Sequence, residues 1–211
     1  MDLTQKMFSN KDIEKAFEKT QASLEKPVSV FLIGGCAMTF RNLKPATKDV
    51  DALFEDEIQE NDFLQALLKS GFNELFPGSK YLDLKAKDIV IDENGLQIDL
   101  FTRQVMGGLM LTESMKMRAE KHRQIGKLAI FLASLEDIYL FKAITSRPFP
   151  RDFEDLVTIQ QSSPDWNTIY KEYVDQVKGK PIEKNLLEKA RKLTEAGISN
   201  PFIKKIRKNS L

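Results

Sequence analysis

The junction between Val28-Ser29-Val30-Phe31-Leu32-Ile33 and Gly34-Gly35 constrains the fold of this chain more than any other feature. A short β-branched and aromatic run that stops at two glycines reads as a buried strand entering a tight turn, with a helix to follow. After thirteen intervening residues, past the break at Lys44-Pro45-Ala46, comes Asp49-Val50-Asp51-Ala52-Leu53-Phe54. As a strand, whose side chains alternate between faces, this segment carries both aspartates on one side. Residues 87–91 and 96–101, joined by Asp92-Glu93-Asn94-Gly95, form a hairpin pattern because Asn-Gly readily takes the positive φ angles of a tight turn. Asp99 therefore lies on a strand.

Helical periodicity surrounds these strands. Ser9 or Asn10 caps a helix that carries Ile13, Phe17 and Leu24 and runs up to the break at Lys26-Pro27. Ile58, Phe63, Leu64, Leu67 and Leu68 mark another, which stops at Ser70-Gly71. After Gly107-Gly108 the pattern turns helical. Ser134-Leu135-Glu136-Asp137 opens a helix through Ile144, Arg147-Pro148-Phe149-Pro150 interrupts it, and residues 151–161, 166–177 and 182–196 continue in helical period. The expectation is an α/β (α+β) protein. Residues 1–108 form an α/β core with an N-terminal helix and a small mixed sheet flanked by helices, and residues 109–211 form a helical C-terminal region.

Composition narrows the function. With 42% hydrophobic residues and 14 Phe the chain can bury a sizeable core, and 32 basic against 31 acidic side chains leave a net charge of +1. Such a balance excludes nucleic-acid binding by overall charge, so that any contact of this kind must come from a patch. The charges are unevenly placed: residues 49–100 hold thirteen acidic side chains against four lysines, whereas residues 178–211 hold ten basic against three acidic. One cysteine, Cys36, and one histidine, His122, provide neither an internal disulfide nor the ligands of zinc hydrolase chemistry, and they do not support a Ser-His-Asp triad. Trp166, Tyr170 and Tyr173 recur at helical spacing and are expected to pack rather than to stack on bases. Residues 1–10 lack the basic head and apolar run of a signal peptide, and no apolar window approaches the roughly 20 residues that span a bilayer. A cytoplasmic protein without membrane contact is expected.

Two aspartates at i and i+2 of a strand project a few ångströms apart, close enough to share divalent cations, and Asp99 on a neighbouring strand completes an oxygen-rich site. Two Mg²⁺ (or Mn²⁺) ions about 4 Å apart in such a site can bind the attacking and leaving oxygens of an in-line displacement. Asp99 is then the general base, or a ligand of the metal that lowers the acceptor hydroxyl's pKa. Ile33-Gly34-Gly35, the spacer and Asp49-Val50-Asp51-Ala52, followed by Asp99 in Leu96-Gln97-Ile98-Asp99-Leu100-Phe101, resemble the nucleotidyltransferase superfamily. That superfamily includes polymerase beta, kanamycin nucleotidyltransferases and the minimal nucleotidyltransferases of toxin–antitoxin pairs. The resemblance implies that Asp49, Asp51 and Asp99 are catalytic and bind metal, and that Gly34 and Gly35 bring backbone N–H groups to a triphosphate. Lys48 is a further nucleotide-binding candidate, with Thr47 in support. Where relatives place Arg ahead of this Thr, the chain has Pro45, with Lys44 and Arg41 as substitutes.

The segment from Ser134 to Ile144, followed by Arg147 and Arg151-Asp152-Phe153-Glu154-Asp155-Leu156, looks like the C-terminal half of the AbiEii-like nucleotidyltransferases. It implies Lys142 as a phosphate ligand, Arg147 and Arg151 nearby, and Asp152 or Asp155 orienting Lys142. The function these resemblances imply is transfer of a nucleotidyl group from Mg²⁺-NTP to an acceptor hydroxyl of RNA, protein or a small molecule, with release of pyrophosphate. The alternative is a catalytically silent relative that binds a nucleotide, an RNA or a partner protein, such as half of a toxin–antitoxin pair. Lys204, Lys205, Arg207 and Lys208 make RNA docking through the basic tail a further expectation.

Overall fold

A computed structural model describes residues 6–75, 86–105, 108–146 and 149–208. The chain divides into two compact units, Met1–Val105 with Leu111–Ser134, and Met106–Met110 with Leu135–Leu211.

In the first unit, helix α1 (Asn10–Gln21) starts where Asp12 accepts from both the backbone N–H (2.8 Å) and the hydroxyl (2.7 Å) of Ser9. It stops short of Lys26-Pro27. Strand β1 (Val28–Ile33) passes directly into α2 (Gly34–Phe40), and β2 (Asp49–Phe54) leads into α3 (Glu57–Lys69). Asp56 caps α3 by accepting from the N–H groups of Ile58 and Gln59, both at 2.9 Å, and Gly71 at φ +98° turns the chain out of it. Phe63 of α3 is buried between Phe17 (ring centroids 5.9 Å apart) and Phe54 (5.3 Å), which fixes α1 and α3 against the sheet.

After the two-residue strand β3 (Asn73–Glu74), the hairpin expected from Asn-Gly is present as β4 (Asp88–Ile91) and β5 (Gln97–Thr102), with Gly95 at φ +88°. Two-residue strands β6 (Gln104–Val105) and β7 (Leu109–Met110) and the short helix α4 (Glu113–Arg118), capped by Thr112, follow. The helical pattern expected from residue 109 onward is then corrected: β8 (Glu120–Ile125) and β9 (Leu128–Leu132) form a hairpin that joins the sheet. The mixed sheet has the order β3-β4-β5-β2-β1-β9-β8. Strand β8 lies at its edge and is mostly exposed, so Lys121, Arg123 and Gln124 carry no apolar alternation by which it could be read. Strand β9 runs parallel to β1, and Phe31 stacks on Phe131 with centroids 5.0 Å apart.

The second unit is helical: α5 (Leu135–Ile144), α6 (Phe149–Gln161), α7 (Trp166–Glu172) running into a π-helical turn (Tyr173–Val177), α8 (Glu183–Glu195) and α9 (Pro201–Lys208). Helix α9 lies beyond the last expected helix. Asn200 starts it by accepting from the Phe202 N–H at 3.0 Å and donates to the Tyr139 hydroxyl, also at 3.0 Å. Phe202 is buried edge-on against Tyr173, and Trp166 meets Tyr139 the same way, so these aromatics pack as expected. Burial pushes the Tyr139 hydroxyl up to about 12. Among the described residues no helix is long and apolar enough to cross a membrane.

Candidate functional site

Strand β2 lies between β1 and β5, and its register decides which polar groups meet. Asp49 is opposite Gln97 and Asp51 opposite Asp99 in the parallel pair, while Ile33 at the end of β1 is opposite Asp51. Period-two alternation puts Asp49, Asp51, Gln97 and Asp99 on one face at the corners of a quadrilateral, with Cα atoms about 4.8 Å apart across strands and about 6.6 Å along them. Asp99 is fully buried, Asp51 is 9% exposed and Gln97 8%, and Asp49 is half-buried. The Gln97 side-chain amide donates to Asp99 Oδ1 at 2.6 Å.

The two halves of the motif touch. Gly34 has φ +62°, and a Cβ there would stand 2.1 Å from Asp51 Oδ2. At Gly35 a Cβ would stand 2.8 Å from Thr47 Oγ1. Thr47 is itself held by exchanged backbone hydrogen bonds with Phe8, at 2.7 and 3.0 Å, and its hydroxyl donates to the Asp49 carbonyl at 3.0 Å. Both glycines thus admit side chains of the following motif to the surface of α2. Gly34→Ala is expected to cost about 1–2 kcal/mol for the left-handed backbone alone, with the clash against Asp51 in addition. Urea unfolding measures this, and a variant as stable as the parent would contradict the packing described.

Cys36, on α2, is buried, and burial first, then the charges of Asp51 and Asp49, push its thiol well above the usual range. It lies in the core on α2, where a thiol packs as a small apolar group. Three carboxylates are hard oxygen donors that suit Mg²⁺ or Mn²⁺ in kind, and the bare Gly34 backbone leaves room for the Asp51 carboxylate. Among the described residues no group of three or more His, Cys, Asp or Glu side chains is arranged to hold a metal ion. Like charges on neighbouring strands are expected to stand apart until a cation draws them together.

The other candidate residues are placed as follows. Lys48 is exposed beside β2. Arg41 is committed elsewhere, donating to the carbonyls of Ala133 (3.0 Å) and Leu132 (3.3 Å) and pairing with Glu120 (3.0 Å). In the helical unit Lys142 is nearly buried and pairs with Asp155 at 2.7 Å. Asp152 instead pairs with Lys189 at 2.6 Å. Arg147 lies outside the described residues, and Arg151 lies on α6 with its side chain outside them.

Several basic residues of 178–211 have partners within the helical unit. Lys189 is buried, Lys192 pairs with Glu188 at 2.7 Å, Arg191 pairs with Glu195, and Lys205 lies over the Tyr170 ring at 5.0 Å and donates to Asn167. Gln97 was legible only as the residue two before Asp99, in the same relation as Asp49 to Asp51.

No protein-family model and no curated protein matches the chain. Among solved structures it is similar to a candidate nucleotidyltransferase from H. pylori, with a TM-score of 0.40 and 16% identity over 86% of this chain and 92% of that one. It is similar also to JHP933 from Helicobacter pylori, with a TM-score of 0.40 and 16% identity over 93% of each chain.

Proposed function

We propose that the chain is a nucleotidyltransferase that moves a nucleotidyl group from an NTP to an acceptor hydroxyl. The observation that carries this reading is the contact between Gly34 and Asp51 beside Asp99: a strand-ending glycine whose missing Cβ makes room for one carboxylate, with a second in register on the next strand. Asp49, Asp51 and Asp99 would hold Mg²⁺, which when bound supplies charge neutralisation at the α-phosphate and a lowered pKa for the acceptor hydroxyl. The acceptor oxygen forms a bond to the α-phosphorus, the bond to the β-phosphate bridge breaks, and pyrophosphate leaves. Asp99, buried and fixed by Gln97, takes the proton of the acceptor hydroxyl. Gly35 and Thr47 keep the entry to β2 packed on α2, so that Asp49 and Asp51 are presented from rigid backbone.

Calorimetric titration of each of the four NTPs, with and without Mg²⁺, tests this without knowledge of the acceptor. Binding that requires Mg²⁺ and is lost in the Asp49→Asn, Asp51→Asn double variant is expected. Binding that survives the double substitution would contradict the assignment, and absence of binding under both conditions would favour a silent scaffold that engages a partner instead.

A further inference from the structure

We propose that Gln97 is the positioning residue of the carboxylate cluster, holding Asp99 in the orientation from which it meets a divalent cation. The inference rests on the reading of Asp49, Asp51 and Asp99 as cation ligands. Gln97 occupies the fourth corner of the quadrilateral, opposite Asp49 across the β2–β5 pair and two residues before Asp99 on the same strand. A carboxylate there would add a fourth negative charge to a face that already carries three. The carboxamide adds none, and its N–H donates at 2.6 Å to Asp99 Oδ1, a short contact of the kind made to charged acceptors.

Both partners are buried, so the hydrogen bond offsets part of the cost of keeping an acidic side chain out of water, and it fixes the plane of the carboxylate. The strands make this orientation precise. Ile89 and Asp51 flank Asp99 in register, and Ile91 and Asp49 flank Gln97, so each side chain stands between two strand neighbours on one face. Partners that hold a ligating carboxylate in this way typically control metal affinity by a factor of about 10–100.

The test is Mn²⁺ binding to the full chain, followed by electron paramagnetic resonance with and without ATP, together with thermal melting, for the parent, Gln97→Leu and Gln97→Glu. Gln97→Leu keeps the bulk and removes the donor, so Mn²⁺ affinity is expected to fall about 10-fold or more. Gln97→Glu replaces the donor by a charge beside Asp99. Its melting temperature without Mn²⁺ should fall, and Mn²⁺ should raise it by more than it raises that of the parent, a response that a residue with only a packing role would not give. Parent-like Mn²⁺ affinity in Gln97→Leu, or a Mn²⁺-induced shift in Gln97→Glu equal to that of the parent, overturns the role of Gln97 while leaving the cation site standing. Absence of Mn²⁺ binding by the parent overturns both.

Discussion

Asp51→Asn is expected to lower nucleotidyl transfer by about three orders of magnitude or more, because several kcal/mol of charge stabilisation depend on the ligand set and each 1.4 kcal/mol is a factor of ten. The same substitution should leave the melting temperature unchanged or raise it. Asp51 faces Asp99 across the β2–β5 pair and shares a face with Asp49, so the fold carries neighbouring like charges that an amide would dilute without changing shape. Asp99→Asn should behave alike in activity. Loss of transfer together with collapse of the fold would instead identify these residues as structural. Retained transfer in a folded Asp51→Asn protein would remove it from the mechanism.

Lys189→Met is expected to destabilise the protein by about 3–5 kcal/mol, among the largest single effects available in the helical unit. The Lys189 ammonium donates to the Lys142 carbonyl at 2.9 Å, to Thr145 Oγ1 and to Asp152 Oδ2 at 2.6 Å, which uses all three of its protons. Asp152 is 1% exposed and also accepts from the Thr145 hydroxyl at 2.8 Å. Removing the cation leaves a buried carboxylate uncompensated, whereas the Lys189→Met, Asp152→Leu double variant removes both charges and should regain most of the loss. Urea midpoints of the two single variants and the double variant measure the coupling. Additive losses would show that the two side chains do not depend on each other.

The α/β fold class and the strand positions of the candidate carboxylates were legible in local pattern. A glycine pair ending an apolar run and aspartates at i and i+2 are local signals, and strand alternation alone places both carboxylates on one face. The Asn94-Gly95 hairpin was legible for the same reason, and it brought Asp99 to the strand beside Asp51. Strand β8 was hidden because an edge strand facing water alternates nothing apolar, and with it the extension of the sheet past β1. The partner of Asp152 was hidden because Lys189 is 37 residues away in the chain and no local period encodes such a pairing. A signal did exist: Leu186, Lys189, Ala190 and Leu193 stand at i, i+3, i+4 and i+7 of α8, so this lysine lies on the buried stripe rather than on a basic tail. Helix α9 was passed over because Lys204, Lys205, Arg207 and Lys208 dominate its composition, although Phe202 anchors it.

The most direct measurement uses NTPs labelled at the α- or the γ-phosphate, incubated with Mg²⁺, the full chain, and a mixture of RNA and cell protein as acceptors. Nucleotidyl transfer predicts that α-label, and not γ-label, becomes acid-precipitable, and that Asp51→Asn abolishes it. Incorporation of γ-label, or α-label incorporated equally by Asp51→Asn, would contradict nucleotidyl transfer by these aspartates.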